Sequence, residues 1–289
     1  MRLFLLTAVT MTAFAANSVL NRMAVGQGWI SPQDFAVERL LSGAGMLVLI
    51  LGARLAVRRG VVWPRPGAAI AGVGGLILYL LGFSIAYGVL DAGTGALILF
   101  GMVQVTMFTG AILAREAVSP ARWMGAGLAF AGLAFLVAPT LGAATIGIPT
   151  MAMAVAGFGW GVYSLAGRRQ RDALAATALN FVAAVPVMLC LLALLPVSPE
   201  GYPRSFQGTF LAVLSGAVTS GLGYALWYAI LPSLGAARAA VAQLTVPLIA
   251  AAGGAVLIGE VPGWRFAVAS VLILGGVAWA SRQSGLTSR

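Results

Sequence analysis

The stretch at 234–282 reads LGAARAAVAQLTVPLIAAAGGAVLIGEVPGWRFAVASVLILGGVAWASR, and it decides the fold class. Two long apolar runs flank a short polar hinge, GEVPG at 259–263. No charged residue lies between Arg238 and Glu260, or between the arginines at 265 and 282. Each run is therefore close to the ~20 residues that a helix needs to cross a bilayer core of roughly 30 Å. The stretch predicts a helical hairpin in a membrane.

The composition of the whole chain agrees with this hairpin. Of 289 residues, 61% are hydrophobic and only 8% are charged, whereas about a quarter of the residues in a soluble domain are charged. A water-soluble fold is excluded. The net charge of +10 does not indicate nucleic-acid binding, because the arginines lie at the ends of apolar runs, where they act as topology signals.

Hydropathy, with breaks at charges, Pro and Gly, predicts ten membrane-spanning helices joined by short connections. No connection has room for a soluble domain. The spans lie near 3–23, 32–57, 67–90, 92–114, 120–138, 148–167, 173–195, 206–231, 236–258 and 262–281.

The arginines predict the orientation of these spans. With the N-terminus inside, the outer side receives only Arg22, Arg39, Arg204 and Arg265, and the other 13 of the 17 basic residues are cytoplasmic. Because positive residues are retained on the cytoplasmic side, both termini are expected there, in a bacterial inner membrane.

A repeat divides the chain into two halves, 1–140 and 141–289. The hinge at 259–263 has an earlier counterpart, AREAVSP at 114–120, and an aromatic residue precedes each hinge glutamate at a similar distance, Tyr87 before Glu116 and Tyr228 before Glu260. Since five spans per half is an odd number, the second half must insert upside down. Inverted repeats of this kind are typical of secondary transporters, which bind substrate near the midplane between the repeats.

The ten spans, the two five-helix halves and the run GAARA at 235–239, followed by Pro247 and Gly259-Glu260, resemble the EamA-type branch of the drug/metabolite transporter superfamily. Within that branch the chain looks most like bacterial aromatic amino-acid exporters. The resemblance implies an exporter that works by alternating access.

Residues for catalysis or for a metal are missing from the sequence. There is no His, a single Cys and no phosphate-binding loop, so no enzyme activity, metal or cofactor is expected. Glycines such as those at 157, 159 and 161 lie within a span, where small residues let helices pack closely. Helix packing is their expected role, and the glycine faces at 125–127 and 275–276 would also suit a homodimer.

The acidic residues lie at span ends or in connections, with Glu38 the deepest. A local ion pair with Arg39 is the expected state of Glu38. Glu116 and Glu260 are expected to favour exposed helix amides without contacting substrate. Because proton-coupled carriers usually keep an ionisable group inside the membrane, a facilitative transporter is favoured over a proton antiporter.

Polar and aromatic side chains within the spans are the candidate substrate-binding residues. A buried amide costs several kcal/mol if unpaired in hydrocarbon, so the amides are expected to face a cavity or a partner helix. For each aromatic residue, packing between helices is the competing interpretation. The candidates are Asn17, Tyr79, Phe83, Tyr87, Gln104, Trp160, Tyr163, Asn180, Tyr224 and Gln243, and Tyr79, Gln104 and Trp160 lie nearest to mid-span.

A pocket of ring faces and neutral amides, without a fixed charge, would suit a flat molecule that is neutral or zwitterionic. Aromatic amino acids fit, and aromatic cations would also be attracted to the rings. The resemblance favours amino acids. The alternatives are a broad drug or metabolite exporter, with or without proton coupling, and a membrane scaffold or lipid-handling protein that transports nothing.

Overall fold

The computed structural model describes residues 1–57, 60–115, 119–137, 144–168, 170–194, 203–234, 239 and 242–284. These residues form ten principal helices and no strand. The helices are α1 Arg2–Gly26, α2 Pro32–Ala56, α3 Pro66–Ala86, α4 Ala92–Leu113, α5 Pro120–Val137, α6 Ala144–Gly167, α7 Ala173–Leu194, α8 Phe206–Leu234, α9 Val246–Ile258 and α10 Trp264–Ser284. Within α8, the turns over Ser215–Leu222 are π-helical.

Seven of these helices, α1 to α4 and α6 to α8, are long and apolar enough to cross a membrane. The apolar parts of the other three are shorter, namely Trp123–Leu136, Val246–Ile258 and Trp264–Trp279. The all-helical prediction is therefore confirmed.

Helix α9 begins at Val246, ten residues after the expected start at 236, although residues 239, 242 and 243 ahead of it are also helical. Thr245 precedes it, and Pro247 stands in its first turn. Proline has no N–H to donate and is favoured in the first turn of a helix, so this residue begins the helix instead of bending it. The run at 235–238 and the hinge residues 116–118, Glu116 among them, lie outside the described residues.

Glycine ends α9 and creates the turn that aims Glu260. Gly259 has φ +78°, in the left-handed region that favours glycine, and its N–H donates to the Gly254 carbonyl. The following Glu260 N–H donates to the same carbonyl at 3.2 Å. The chain therefore turns back at this point, and the Glu260 side chain points toward α1 and α4.

Buried apolar residues from all ten helices form one continuous core. The main helix pairs are α3–α6, α5–α10, α4–α6, α1–α8, α1–α9, α2–α7, α2–α8, α3–α7 and α4–α9. Glycines bring several of these backbones close together. A Cβ added to Gly159 would lie 2.6 Å from the Gly75 carbonyl oxygen on α3, while Gly157 and Gly161 face α4 in the same way. The packing role predicted for these three glycines is confirmed.

Candidate functional site

A small aromatic cavity lies in the interior, between helices of both halves of the chain. Its volume is about 20 Å³, which is room for about one water molecule and not for an aromatic side chain. The structure is thus closed around this point. The lining residues are Phe14, Asn17, Ser18, Tyr79, Phe83, Leu99, Phe100, Trp160 and Tyr224.

Trp160 is the centre of the ring cluster around this cavity. Its ring is stacked on Tyr163 at 5.2 Å between centroids and on Tyr224 at 5.4 Å. Tyr79 lies 4.9 Å away at an interplanar angle of 48°. Trp160 and Tyr163 meet because residues three apart are neighbours on a helix surface. Ring faces from α3, α6 and α8 therefore come together at one place.

The aromatic stripe predicted on α3 forms a row of touching rings. The Tyr79 and Phe83 centroids are 5.1 Å apart, and those of Phe83 and Tyr87 are 4.6 Å apart. The Tyr87 hydroxyl donates to the Ala92 carbonyl at 3.2 Å. Tyr87 thus belongs to the end of the row farther from the cavity.

Asn17 is the polar centre of the cavity wall. Its Oδ1 accepts hydrogen bonds from the hydroxyls of Ser215 at 2.8 Å, Thr219 at 2.6 Å and Ser220 at 3.2 Å. Residues 215 and 220 would point in different directions on an α-helix. In the π-helical turn, bonds run from i to i+5, so side chains five apart share a face. The π segment therefore explains why all three hydroxyls reach one amide oxygen.

Arg39 lies directly behind this wall and is fully buried, with 0% exposure. Its Nη2 donates to the Tyr79 hydroxyl at 2.8 Å and its Nε to Ser220 Oγ at 3.2 Å. The guanidinium carbon lies 5.0 Å from the Tyr79 ring centroid and 4.9 Å from that of Phe83. Nη1 has no hydrogen-bond partner.

One sequence-based interpretation is therefore wrong. Glu38 does not pair with Arg39; it lies 3.6 Å from Arg204 near the start of α2. Neighbours in sequence are about 100° apart on a helix and do not face each other, so Glu38 points outward while Arg39 points inward. No charged residue lines the cavity itself, but the guanidinium of Arg39 packs against two of its rings from behind.

The other predicted residues lie around or away from the cavity. Tyr163 donates to Thr177 Oγ1 at 3.0 Å. Asn180 is buried on α7, against Gly72. Gln243 is half-buried ahead of α9. Gln104 lines a different cavity, so Tyr79 and Trp160 share one cavity that Gln104 does not enter.

The cavity lined by Gln104 is a larger groove of about 270 Å³ between α4 and α5. Two of its lining residues, Trp123 and Phe130, are 54% and 61% exposed, so it opens on the outer surface of the bundle. Its walls belong to the first half of the chain alone. The smaller aromatic cavity instead lies in the interior between helices of both halves, and it is the candidate site despite its volume.

The helices α1, α3 and α9 end on the same side of the bundle, which is called the first end. An ion pair there, between Arg22 and Glu260, joins the ends of these three helices to the start of α4. Arg22 Nε donates to Glu260 Oε1 at 2.6 Å, and Glu260 Oε2 accepts from the Ala92 N–H at 2.8 Å. Arg22 Nη1 also donates to the carbonyls of Tyr87 and Gly88, both at 3.2 Å. Glu260 therefore accepts from an exposed amide at the start of α4, and not from the start of α10, which follows the hinge that contains Glu260.

A second ion pair joins segments at the opposite end, called the second end. Arg54, late in α2, lies 2.8 Å from Asp172, just before α7. Burial alone would raise the pKa of Asp172, but hydrogen bonds from Arg54 and from the N–H groups of Ala175 and Val62 outweigh it and lower the pKa. Because the pKa of Asp172 is lower in the folded protein than in the unfolded chain, this carboxylate stabilises the fold at pH values above its unfolded-state pKa. The stabilisation is lost as the pH falls through the folded-state pKa.

Glu260→Gln should lower the free energy of unfolding by about 1–3 kcal/mol, because Arg22 loses its counter-charge and Ala92 its charged acceptor. Thermal unfolding in detergent measures the loss. Glu38→Gln is the matched control: its partner Arg204 is 59% exposed, and surface pairs contribute little. Equal melting temperatures for the two variants would contradict this role of Glu260.

No group of His, Cys, Asp or Glu that could hold a metal occurs among the residues that the structure describes. The aromatic cavity offers ring faces, an amide and hydroxyls, with a buried guanidinium behind them. Such a set can bind and orient a small molecule, and it contains no acid–base pair for catalysis.

The chain is similar to known proteins in sequence and in fold. Residues 147–282 match the EamA-like transporter family. The chain is 43% identical over 278 residues to Uncharacterized protein PA1977 of Pseudomonas aeruginosa, covering 96% of this chain and 93% of that protein. It also resembles the crystal structure of a protein with a TM-score of 0.59 and 22% identity, covering 98% and 99% of the two chains, which shows the fold alone.

Proposed function

We propose that this chain, whose residues 147–282 belong to the EamA-like transporter family, exports aromatic amino acids and related small aromatic compounds. The family match and the apolar helices support a multi-pass membrane protein that transports small molecules. The observation that carries the proposal is the cluster of ring faces around the interior cavity. Stacking on such faces binds flat aromatic groups.

The helix contacts support an inverted repeat of five helices in each half, 1–140 and 141–289. A two-fold relation would exchange each helix n of the first half with helix n+5 of the second half. Under this exchange the contact α3–α6 becomes the contact α8–α1, and both contacts exist in the structure. The contact α4–α6 likewise becomes α9–α1, and α3–α7 becomes α8–α2. The pairs α2–α7, α4–α9 and α5–α10 are exchanged with themselves. These exchanges support a two-fold relation between the halves, while the contact α4–α5 has no counterpart of similar extent between α9 and α10.

The two ion pairs at opposite ends of the bundle support alternating access. Arg22–Glu260 joins segments at the first end and Arg54–Asp172 joins segments at the second, with the aromatic cavity between them. Opening one end while the other stays joined would expose the cavity to one side at a time. None of the described residues lining the cavity is a carboxylate, which supports a facilitative mechanism over proton exchange.

In the proposed orientation, both termini lie in the cytoplasm of a bacterium, and so does the connection between α2 and α3. A single cysteine placed at Arg65, in a Cys190→Ser background, should resist a membrane-impermeant thiol reagent in intact cells. A cysteine placed at Arg204, on the opposite side, should react. Labelling at position 65 and protection at position 204 would show that the orientation in the membrane is the opposite of the one proposed.

Uptake of labelled L-phenylalanine into liposomes that hold the purified protein tests the function. We expect uptake without an imposed pH gradient, competition by L-tyrosine and L-tryptophan, and no competition by L-alanine. Uptake that needs a proton gradient would favour the proton-coupled alternative. Competition by many unrelated compounds would favour a broad drug or metabolite exporter.

A lipid-handling protein is the second candidate, and one observation favours it. The groove of about 270 Å³ between α4 and α5 opens on the outer surface and is lined mainly by apolar residues. Liposomes with no uptake of any aromatic compound, and a protein whose melting temperature rises with added phospholipid alone, would support this reading.

A further inference from the structure

The charge of Arg39 has no acidic partner in the part of the chain that the structure describes. The described carboxylates are engaged elsewhere or lie at helix ends: Glu260 pairs with Arg22, Asp172 with Arg54, and Asp34 and Glu38 with Arg204, while Asp91 precedes α4. The neighbours of Arg39 are two hydroxyls and two ring faces. These groups stabilise a cation only in part.

Keeping such a cation in an apolar interior is costly. An unpaired buried charge destabilises a protein strongly, whereas replacing it with a neutral group of similar volume is often neutral or stabilising. Its depth adds to the cost, since Tyr79, which accepts from Nη2, lies only three residues from the middle of α3 (Pro66–Ala86). A charged residue at this depth indicates a functional site with a missing partner.

The unpaired Nη1 of Arg39 and its surroundings indicate the chemistry of the missing partner. Arginine presents donors in a flat fork that matches a carboxylate, and here Nη1 is buried and unpaired beside the paired Nη2. The adjacent Tyr79 and Phe83 also line the aromatic cavity. A ligand with an aromatic ring and a carboxylate could bind both groups at once, with its ring in the cluster around Trp160 and its carboxylate at Arg39.

We propose that Arg39 is the binding residue for the carboxylate of the transported aromatic molecule, and that Ser220 and Asn17 position it. This inference rests on the proposed function and narrows its substrates to aromatic anions and zwitterions. Aromatic cations are excluded, because the guanidinium repels them. Since Tyr79 lies between Arg39 and the cavity, the tyrosine must turn aside as the cavity widens for substrate.

Three compounds that share a phenyl ring but differ in their charged groups test which charge the protein binds. L-Phenylalanine has a carboxylate and an ammonium group, 3-phenylpropionate has only the carboxylate, and phenethylamine has only the ammonium group. The melting temperature of the purified protein in detergent is measured against the concentration of each. We expect the first two to raise it and phenethylamine to leave it unchanged. Stabilisation by phenethylamine equal to that by 3-phenylpropionate would overturn the inference, and this arm needs no variant.

Arg39→Gln removes the charge, and Arg39→Lys keeps it without the fork. We expect Arg39→Gln to weaken binding of 3-phenylpropionate at least about 30-fold, and to melt without ligand no lower than the wild-type protein. Arg39→Lys should recover part of the affinity. Arg204→Gln, at a cation that is 59% exposed, is the control and should bind normally. A lower melting temperature for Arg39→Gln with unchanged affinity would make Arg39 a structural residue.

The inference and the proposed function can fail separately. Uptake of phenylalanine with equal binding to wild-type protein and Arg39→Gln would keep the function and overturn the inference. Carboxylate binding that depends on Arg39, without uptake of any aromatic compound, would do the reverse. A wild-type protein that neither carboxylate stabilises also overturns the inference.

Discussion

Gly75→Leu should leave almost no folded protein. A Cβ at this position would lie 2.6 Å from the Gly159 carbonyl oxygen and 2.9 Å from the Tyr163 backbone nitrogen. Both are backbone atoms of α6 and cannot rotate away, so α3 and α6 would have to separate along an extensive contact. Overpacking typically costs 1–3 kcal/mol, and the further carbons of leucine should take the loss in unfolding free energy beyond about 3 kcal/mol.

Its neighbour provides the matched control for this substitution. Gly74 is exposed on the same helix, and a Cβ there meets nothing within 4 Å. Gly74→Leu should therefore be recovered at the wild-type yield, with an equal or slightly higher melting temperature, since glycine is a poor helix former. Size-exclusion chromatography and thermal unfolding in detergent compare the two. A well-folded Gly75→Leu protein would show that α3 and α6 pack less closely than described.

Trp160→Ala should damage both binding and folding. Loss of the Trp160 ring from the cavity wall should weaken binding of aromatic substrates by about 2- to 13-fold, from 0.5–1.5 kcal/mol per ring pair. Because the adjacent cavity is only about 20 Å³, the ring is also part of the packed interior. For a fully buried aromatic side chain the loss of stability is about 3–5 kcal/mol, and the loss should lie below this range because Trp160 is half-buried.

Three further variants separate these two effects. Trp160→Phe keeps a ring and should restore most of the binding and stability. Trp279 is 52% exposed on α10, and Trp279→Ala should change neither property. Gln104→Leu alters the separate groove and should leave transport unchanged. Impaired transport in Gln104→Leu, with normal transport in Trp160→Ala, would move the site to the groove between α4 and α5.

Most of the helical architecture could be predicted because apolar length and breaking residues act locally. Charges, prolines and glycines mark the limits of most of the helices within a few residues. The start of α9 could not be placed in this way, since the apolar run continues through 239–247 while Pro247 interrupts the hydrogen bonding within it. Hydropathy does not measure backbone hydrogen bonds.

The site was predicted in part. The ring stripe on α3 and the approach of Trp160 follow from helical spacing and depth, and Tyr79, Phe83 and Trp160 all line the cavity, whereas Tyr87 does not. Arg39 was missed because Glu38 stands beside it in sequence. Helical spacing held the signal, since adjacent residues point in different directions and cannot satisfy each other. The partners of Glu260 could not be predicted, because contacts between distant segments depend on the assembled bundle.

The π-helical turn in α8 also has a consequence for comparing members of this family. A turn closed from i to i+5 holds one residue more than an α-helical turn. A relative with one residue fewer between the positions of Ser215 and Leu222 would have a regular helix, and its hydroxyls could not all reach the amide at position 17. A one-residue gap in this segment of an alignment would therefore divide the family into chains that can form this cluster of hydroxyls around the amide and chains that cannot.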